Sequence, residues 1–138
     1  MTRDTPLAQV RLHFDTTTLA GHEVHLDVST ATRAGSVLFL SCDETAGIER
    51  LTPQGDEWGN HVHIALGEIF DLPGEETGEI DIEGLAVDGD WLWITGSQAL
   101  KRGKPKVGDS PAEALERLAE IKWDENRQLL ARMPLEHR

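Results

Sequence analysis

Three acidic residues that alternate with isoleucines form the segment of this chain best suited to chemistry. Residues 79–83 read Glu-Ile-Asp-Ile-Glu, and Gly84 follows them. Successive side chains of a β-strand point to opposite faces, so the three carboxylates are predicted to share one face while the isoleucines face the core. Carboxylates placed side by side repel one another, and a bound divalent cation relieves that repulsion. The alternative is a solvated acidic edge that discourages pairing with other strands.

A second acidic pair, Asp43 and Glu44, follows the short apolar run of residues 36–40. The alternative interpretation of this pair is a turn with ordinary solvated acids. Oxygen ligands without a suitable sulfur cluster favour a hard cation, so calcium is the predicted metal. Glu83 ranks first among the candidates because the glycine after it lets a ligand approach closely. The predicted metal ligands are Glu83, Asp81, Asp43, Glu44 and Glu79.

Two further groups of residues are candidates for binding. His61 and His63 are expected on one face of a strand, a spacing that suits a transition metal but that ordinary strand histidines share. Lys101 and Arg102 begin a basic loop that would receive an anionic substrate or balance the acidic segment. The sequence shows no Ser-His-Asp order, no glycine-rich phosphate loop and no paired metal-binding cysteines, so no catalytic residue is assigned.

The composition is that of a globular domain with a strong acidic excess. The chain of 138 residues carries 25 acids and 13 bases, a formal net charge of −12. Such a field repels phosphate backbones and anionic membranes, so neither nucleic acid nor membrane is expected as a partner. No apolar run approaches the ~20 residues of a membrane span, and the N-terminus lacks the apolar core of a signal peptide. The single cysteine, Cys42, is expected to be a small buried hydrophobe, and a chain without an internal disulfide is compatible with the predicted cytoplasmic location.

The acidic segment belongs to an internal repeat. Residues 27–41 and 81–95 align without a gap at an offset of 54, and the alignment matches Gly35 with Gly89. Repeats of roughly 40–50 residues built from short strands are typical of propeller blades. The sequence therefore predicts a mostly β fold, a partial β-propeller-like array of about two four-stranded blades with one inserted α-helix.

Short strands separated by turns fill most of the chain. The inserted helix is predicted to begin at Ser110, because a proline follows it and a glutamate stands three residues on, as in a capping box. The apolar stripe of this helix would contain Leu115, Leu118 and Ala119. The predicted strands are 10–14, 23–28, 36–40, 48–51, 61–66, 79–87, 91–95 and 128–135.

These elements are interpreted as one domain over residues 1–138, with repeat units near 23–66 and 79–135. Each unit of a repeat array buries its faces against its neighbours, and two units do not close into a ring. The chain is therefore predicted to be an N-terminal half, or a fragment, of a larger propeller.

Four stretches occur in the order found in a known family. They are 41–45 (Ser-Cys-Asp-Glu-Thr), 79–86 (Glu-Ile-Asp-Ile-Glu-Gly-Leu-Ala), 96–102 and 126–132. Together they resemble a bacterial family catalogued as domain of unknown function 3616, and the resemblance covers about residues 9–135. The Glu-Gly-Leu-Ala core is also similar to the repeats of phytase-like esterases and of calcium-binding lactonase-type propellers. The resemblance implies a propeller-like fold, no established activity and a second half with another such repeat.

Three function classes follow from these observations. The favoured hypothesis is an interaction module whose open edge strands pair with another chain, or with copies of itself, to complete a propeller. A protein partner or a homo-oligomer is expected in that case. The first alternative is a divalent-metal-dependent hydrolase, similar to the phytase-like esterases, with the metal held by Glu83 and Asp43. The second alternative is a calcium-binding sensor without catalysis.

Overall fold

The first repeat unit forms an antiparallel sheet of four strands. The computed structural model describes residues 8–15, 24–43, 45–76 and 78–136. Gly35 and Gly55 begin two-residue hairpin loops with φ of 57° and 65°, a conformation that glycine adopts without steric cost. The strands are adjacent in sequence order: β1 (Val28–Ala34), β2 (Val37–Cys42), β3 (Gly47–Gln54) and β4 (Glu57–Ala65).

The second repeat unit forms a sheet of three strands, one fewer than the sequence predicts. β5 (Ile82–Asp88) and β6 (Trp91–Gly96) make its hairpin. The chain then leaves the sheet for a separate pair of short strands, β7 (Lys101–Arg102) and β8 (Ile121–Lys122), with helix α1 (Pro111–Ala119) between them. It returns as β9 (Leu130–Pro134), which pairs with the other side of β6. We call residues 97–123 the insertion, and the fold is mostly β with one α-helix, as predicted.

The hairpins of the two units are equivalent strand by strand. β1 and β2 begin and end 54 residues before β5 and β6. Both hairpins also carry a register irregularity at the same place, between Val28 and Thr30 in the first and between Ile82 and Gly84 in the second. An extra residue in one strand sharpens the local twist and re-aims a side chain. The structure thus confirms the repeat and extends it to a bulge that periodicity does not reveal.

The two sheets share one hydrophobic core. Buried side chains of the first sheet, such as Phe39 and Ile48, pack in one cluster with Ile82 and Leu92 of the second. β1 and β5 lie side by side, and the hydroxyl of Ser29 donates a hydrogen bond of 2.8 Å to the carbonyl oxygen of Ile82. The acidic segment therefore enters its sheet directly against the first unit.

Two of the predicted strands are wrong. Within 10–14, only Leu12 forms a bridge, a parallel one to Trp58. The segment before β1 is a 3-10 turn, Val24–Leu26, and Glu23 lies outside the described residues. The alternation does not mark one covered face, because Val24 is fully buried whereas Val10 and Leu26 are 60% and 64% exposed. A strand also needs a neighbour that offers backbone partners, and beside residues 10–14 β4 does so only at Trp58.

The helix begins where the sequence predicts. The N–H of Glu113 donates to the Ser110 hydroxyl over 3.2 Å, and the Glu113 carboxylate accepts from the Ser110 N–H over 2.8 Å, which completes the capping box. None of the helices in the described ranges has the length and apolar character needed to cross a lipid bilayer. No residue of α1 is buried, and Leu115 and Leu118 are 67% and 42% exposed. The predicted apolar stripe therefore exists, but the described part of this chain does not cover it.

Candidate metal centre

Three carboxylates from the two repeat units converge at the start of β5. Asp43 lies just after β2, Asp81 lies just before β5, and Glu83 is the second residue of β5. One oxygen of each lies within 4.8 Å of the others. Two ligands of one calcium ion are separated by at most twice the Ca–O distance of about 2.3–2.6 Å, so the three oxygens are close enough to share one ion. Asp43 and Glu83 are exposed to solvent and Asp81 is half-buried, which leaves the group accessible to ions. We call these three residues the acidic triad.

An irregular backbone produces this convergence. Asp81 has φ of 56°, in the left-handed region that non-glycine residues seldom adopt. Glu83 sits at the bulge of the β5–β6 pair. The prediction of a regular strand over residues 79–83 is therefore wrong, because the strand begins only at Ile82. The isoleucines nevertheless face the core as predicted, since Ile80 and Ile82 are fully buried.

Glu79 is drawn away from the triad by two basic side chains. Arg127 Nη2 lies 3.0 Å from Glu79 Oε1, and Lys101 Nζ lies 3.6 Å from Oε2. Arg127 also places Nη1 at 3.1 Å from Asp81 Oδ2, and its own side chain is only 14% exposed. Arg127 thus fixes Asp81 and neutralises part of the acidic charge. Sequence reasoning missed this residue, because no local pattern links it to a carboxylate 48 positions away.

Two further predictions about the acidic residues have different outcomes. Glu44 lies outside the described residues. Gly84 was expected to leave room for a ligand beside Glu83, but a Cβ at this position would lie 2.8 Å from the Thr95 methyl carbon. The glycine therefore makes room for the neighbouring strand.

A cavity of about 520 Å³ adjoins the triad and brings the predicted basic residues to it. Asp43 and Asp81 line this cavity together with Lys101 and Arg102. Both basic residues also have structural partners: Lys101 pairs with Glu79, and Arg102 Nη1 donates to the carbonyl oxygen of Leu118 over 3.3 Å. The basic loop thus closes the insertion and balances the acidic segment, and it lies within reach of an anion in the cavity.

His61 and His63 flank a buried carboxylate that sequence reasoning did not single out. Glu49 has a side chain only 1% exposed, and both its oxygens lie 2.6 Å from a ring nitrogen, Oε2 from His61 Nε2 and Oε1 from His63 Nδ1. The N–H of Asp15 donates to His61 Nδ1 over 3.3 Å, which assigns the ring proton to Nε2. In the described ranges, only the acidic triad brings three potential ligands together closely enough for a metal ion.

Cys42 is the buried hydrophobe that the sequence predicts. Its Sγ donates to the carbonyl oxygen of Val24 over 3.4 Å. Burial raises the pKa of the thiol to about 11, and the negative charges of Glu49, Asp27 and Asp43 act in the same direction. A thiol in this state is a poor nucleophile at neutral pH.

One family model matches this chain over residues 27–138, and that family is described as "Protein of unknown function (DUF3616)". The match includes both repeat units, the insertion and all three triad residues. No curated protein and no solved structure matches the chain significantly. The resemblance found in the sequence is thereby confirmed, while the propeller-like fold that it implies stays a prediction.

Proposed function

We propose that this chain, which belongs to the DUF3616 family, is a calcium-binding module in which one cation joins the two repeat units. The observation that carries the proposal is the convergence of the acidic triad within 4.8 Å. Three negative charges at this distance repel one another, and Arg127 contacts only Asp81 among them. A divalent cation would neutralise the negative charge that Arg127 leaves unbalanced. An accessible set of oxygen ligands suits calcium, which fills its remaining coordination positions with water.

The position of the triad defines what the cation would do. Asp43 belongs to the first repeat unit, whereas Asp81 and Glu83 belong to the second. An ion shared by these residues would bind the folded arrangement and not the unfolded chain. Binding would therefore stabilise the contact between β1 and β5, and the module would act as a sensor or as a structural calcium site.

Titration of the chelator-treated protein with calcium tests this proposal. At a hundredfold excess over Kd, a ligand specific for the native state raises the free energy of unfolding by about 2.7 kcal/mol. Glu83→Gln keeps the shape of the side chain and removes its charge, so this variant should lose most of the gain. Glu68→Gln removes an exposed carboxylate outside the triad and should behave as wild type.

Two results would contradict the calcium site. The first is a wild-type protein that shows neither a heat of binding nor a shift in melting temperature with millimolar calcium. The second is a Glu83→Gln variant that is more stable than wild type without calcium and responds to calcium as wild type does. That pattern would mean that the carboxylates only repel one another.

An interaction module is the second candidate function, and the surface of the insertion favours it. Six large apolar side chains are exposed between residues 100 and 123, and helix α1 buries none of its own. A contiguous patch of such side chains would mark an interaction surface. In the described ranges the outer strands of both main sheets have no further strand beside them in the same sheet, apart from the bridge of Leu12 to β4, and such edges are templates for pairing with another chain. The six side chains are Leu100, Val107, Leu115, Leu118, Ile121 and Trp123.

Light scattering over a range of protein concentrations tests the interaction module. We expect the mass to exceed that of a monomer, and the double variant Leu115→Lys/Trp123→Lys should return it to the monomer value. Leu26→Lys changes an equally exposed leucine outside the insertion and should leave the mass unchanged. A wild-type protein that is monomeric at all concentrations would contradict self-association.

A metal-dependent hydrolase is the third candidate, favoured by the cavity beside the triad. Lys101, Arg102 and Arg127 line the same cavity as Asp43 and Asp81, so an anionic ester would meet positive charge next to the cation. Turnover of p-nitrophenyl phosphate that requires calcium, disappears in Glu83→Gln and shows a raised KM in Lys101→Met would support it. Calcium binding without any turnover of phosphate or carboxylate esters would support the calcium-binding module and contradict the hydrolase.

A further inference from the structure

A second cavity lies at the opposite end of the fold from the hairpin bulge, between the turn of the β1–β2 hairpin and the end of β9. Its volume is about 620 Å³, and it is lined by residues of both sheets. Its wall is about equally polar and apolar, and Val37, Phe39, Ile64, Met133 and Leu135 supply the apolar part. The same side chains belong to the shared core or pack against it, so the cavity borders the core. A concave cavity of this size with both apolar and polar lining residues is typical of small-molecule sites.

One cation, Arg50, lines this apolar cavity. Arg50 stands on β3 directly opposite Phe39 of β2, so both side chains are on the same face of the first sheet, the face that meets the second sheet. Its Nε is buried and has no hydrogen-bond partner among the described residues, a state that it shares with Arg127 Nε and Thr45 Oγ1. Nearly all buried polar groups in proteins have a partner, so a buried guanidinium nitrogen without one needs an explanation.

The other arginines of the described ranges are all engaged. Arg11, Arg117 and Arg127 pair with carboxylates, Arg102 donates to a backbone carbonyl, and Arg33 and Arg132 stack on tryptophan rings. Arg50 differs from them in having neither an ion pair nor an aromatic partner in the described part of the chain. Glu136, the one carboxylate of the lining, is exposed and has an interaction of its own.

We propose that this cavity binds a small monocarboxylate with an apolar body, whose carboxylate accepts hydrogen bonds from the Arg50 guanidinium. The planar guanidinium fork matches the two oxygens of a carboxylate. The apolar part of the wall suits a hydrocarbon chain or ring. Glu136 at the exposed side disfavours a second negative charge, which selects monoanions over dianions. The net charge of −12 opposes anions at long range, but salt screens that field beyond about 8 Å, whereas Arg50 acts at contact.

A series of ligands of equal length tests the proposal on the unmodified chain. Octanoate, octanol and octylamine share the apolar body and differ in the head group. Isothermal titration should give the tightest binding for octanoate, and about a tenfold weaker binding or none for octylamine, because a charge-assisted hydrogen bond is lost and like charges meet. Equal affinities for octanoate and octylamine, or no binding of octanoate at all, would overturn the proposal.

Methyl-labelled methionine locates the ligand without any substitution. The chain contains two methionines, Met1 and Met133, and Met133 lines the cavity. Octanoate should shift the Met133 methyl signal and leave that of Met1 in place. An octanoate complex that leaves the Met133 signal unmoved would show that the ligand binds elsewhere, which also overturns the proposal.

A pair of arginine variants completes the test. Arg50→Met keeps an unbranched side chain and removes the guanidinium, so octanoate affinity should fall about tenfold while octanol affinity stays unchanged. Arg117→Met removes one positive charge of the insertion, outside the residues that line the cavity, and should bind octanoate as wild type does. Undiminished octanoate binding by a folded Arg50→Met protein would assign the binding to the apolar wall alone and reject the role of Arg50.

Discussion

Glu49 shows how burial changes the energetic value of a contact between a carboxylate and an imidazole. Its carboxylate is buried on β3 and is held by His61 and His63, each at 2.6 Å. A second pair, between His13 of the N-terminal segment and Glu57 of β4, joins the same residue types with both side chains partly exposed. A buried carboxylate that loses its partners stays uncompensated in a poorly polar environment, whereas an exposed one regains water. The two pairs should therefore respond very differently to removal of one partner.

Removal of one histidine from each pair measures that difference. His61→Ala should lower the free energy of unfolding by roughly 3 kcal/mol, because it leaves buried Glu49 with one partner fewer. His13→Ala should cost less than about 1 kcal/mol, the value typical of an exposed pair. Urea denaturation of both variants gives the comparison. Equal losses would mean that the Glu49 cluster contributes no more than a surface pair.

The Cys42 thiol should report on the integrity of the core. Its pKa of about 11 lies above the ordinary thiol value of 9.0, so the thiolate population at pH 8 is about a hundredfold smaller in the native protein than in the unfolded chain. The reaction with a thiol reagent should be slow in buffer and fast in urea. Rapid modification of the native protein would mean that β2 opens frequently.

The same shift has a consequence for stability at high pH. Below pH 9 both states hold the thiol proton, and the contribution of this group to stability is constant. Between pH 9 and about 11 the unfolded chain releases the proton while the native state keeps it, so the free energy of unfolding should fall as pH rises. Cys42→Ala should lack this part of the pH dependence in urea-denaturation curves recorded from pH 8 to pH 11.

At the scale of elements, local rules predict the hairpins but not the bulges. Gly35 and Gly89 match in the repeat, and both begin a two-residue loop with φ close to 57°. That outcome follows from the sequence, because glycine at this position needs no tertiary support. The left-handed φ of Asp81 has no such local cause. It is accompanied by the ion pair with Arg127, a contact between distant parts of the chain.

The triad itself could be predicted only in part for the same reason. Parity along a strand places Asp81 and Glu83 on one face, and the repeat suggests Asp43 as their neighbour. The same alternation places Glu79 on that face too, but in the structure Glu79 lies outside the triad and pairs with Arg127 and Lys101. The spacing of residues along the sequence thus identifies the acidic residues that could join the metal site. It does not identify the distant basic residues, Lys101 and Arg127, that pair with some of them.

Helix α1 is an element whose stability should be local. Ser110→Ala removes the hydroxyl acceptor of the capping box and should weaken the helix by about 1 kcal/mol. The melting temperature of the whole protein should hardly change, because no residue of α1 is buried. Amide exchange of residues 113–117 should accelerate in Ser110→Ala and stay near wild type in Ser110→Asp, which retains a capping side chain. A large drop in global melting temperature would mean that the helix packs against something in solution.

At the scale of the whole molecule, the repeat does not make the two sheets independent. Buried residues of both sheets form one cluster, and the Ser29 hydroxyl of the first unit binds the backbone of the second. In the first unit Ser29 stands at the bulge position that Glu83 occupies in the second. The bulge therefore presents a side chain that joins the two units in the first hairpin, and a candidate cation ligand in the second. Units tied in this way are expected to unfold together.

A substitution in one sheet should consequently loosen both. Leu92 is fully buried on β6, and Leu92→Ala should lower the free energy of unfolding by about 2–5 kcal/mol through lost burial and the cavity left behind. Because the core is shared, the slowest amide exchange in β2 and β3 should accelerate by the same factor as that in β5 and β6. Leu130→Ala, at an exposed position of β9, should leave both sheets unaffected. Faster exchange confined to β5 and β6 would mean that each repeat unit folds by itself, and a cation at the acidic triad would then be the main connection between them.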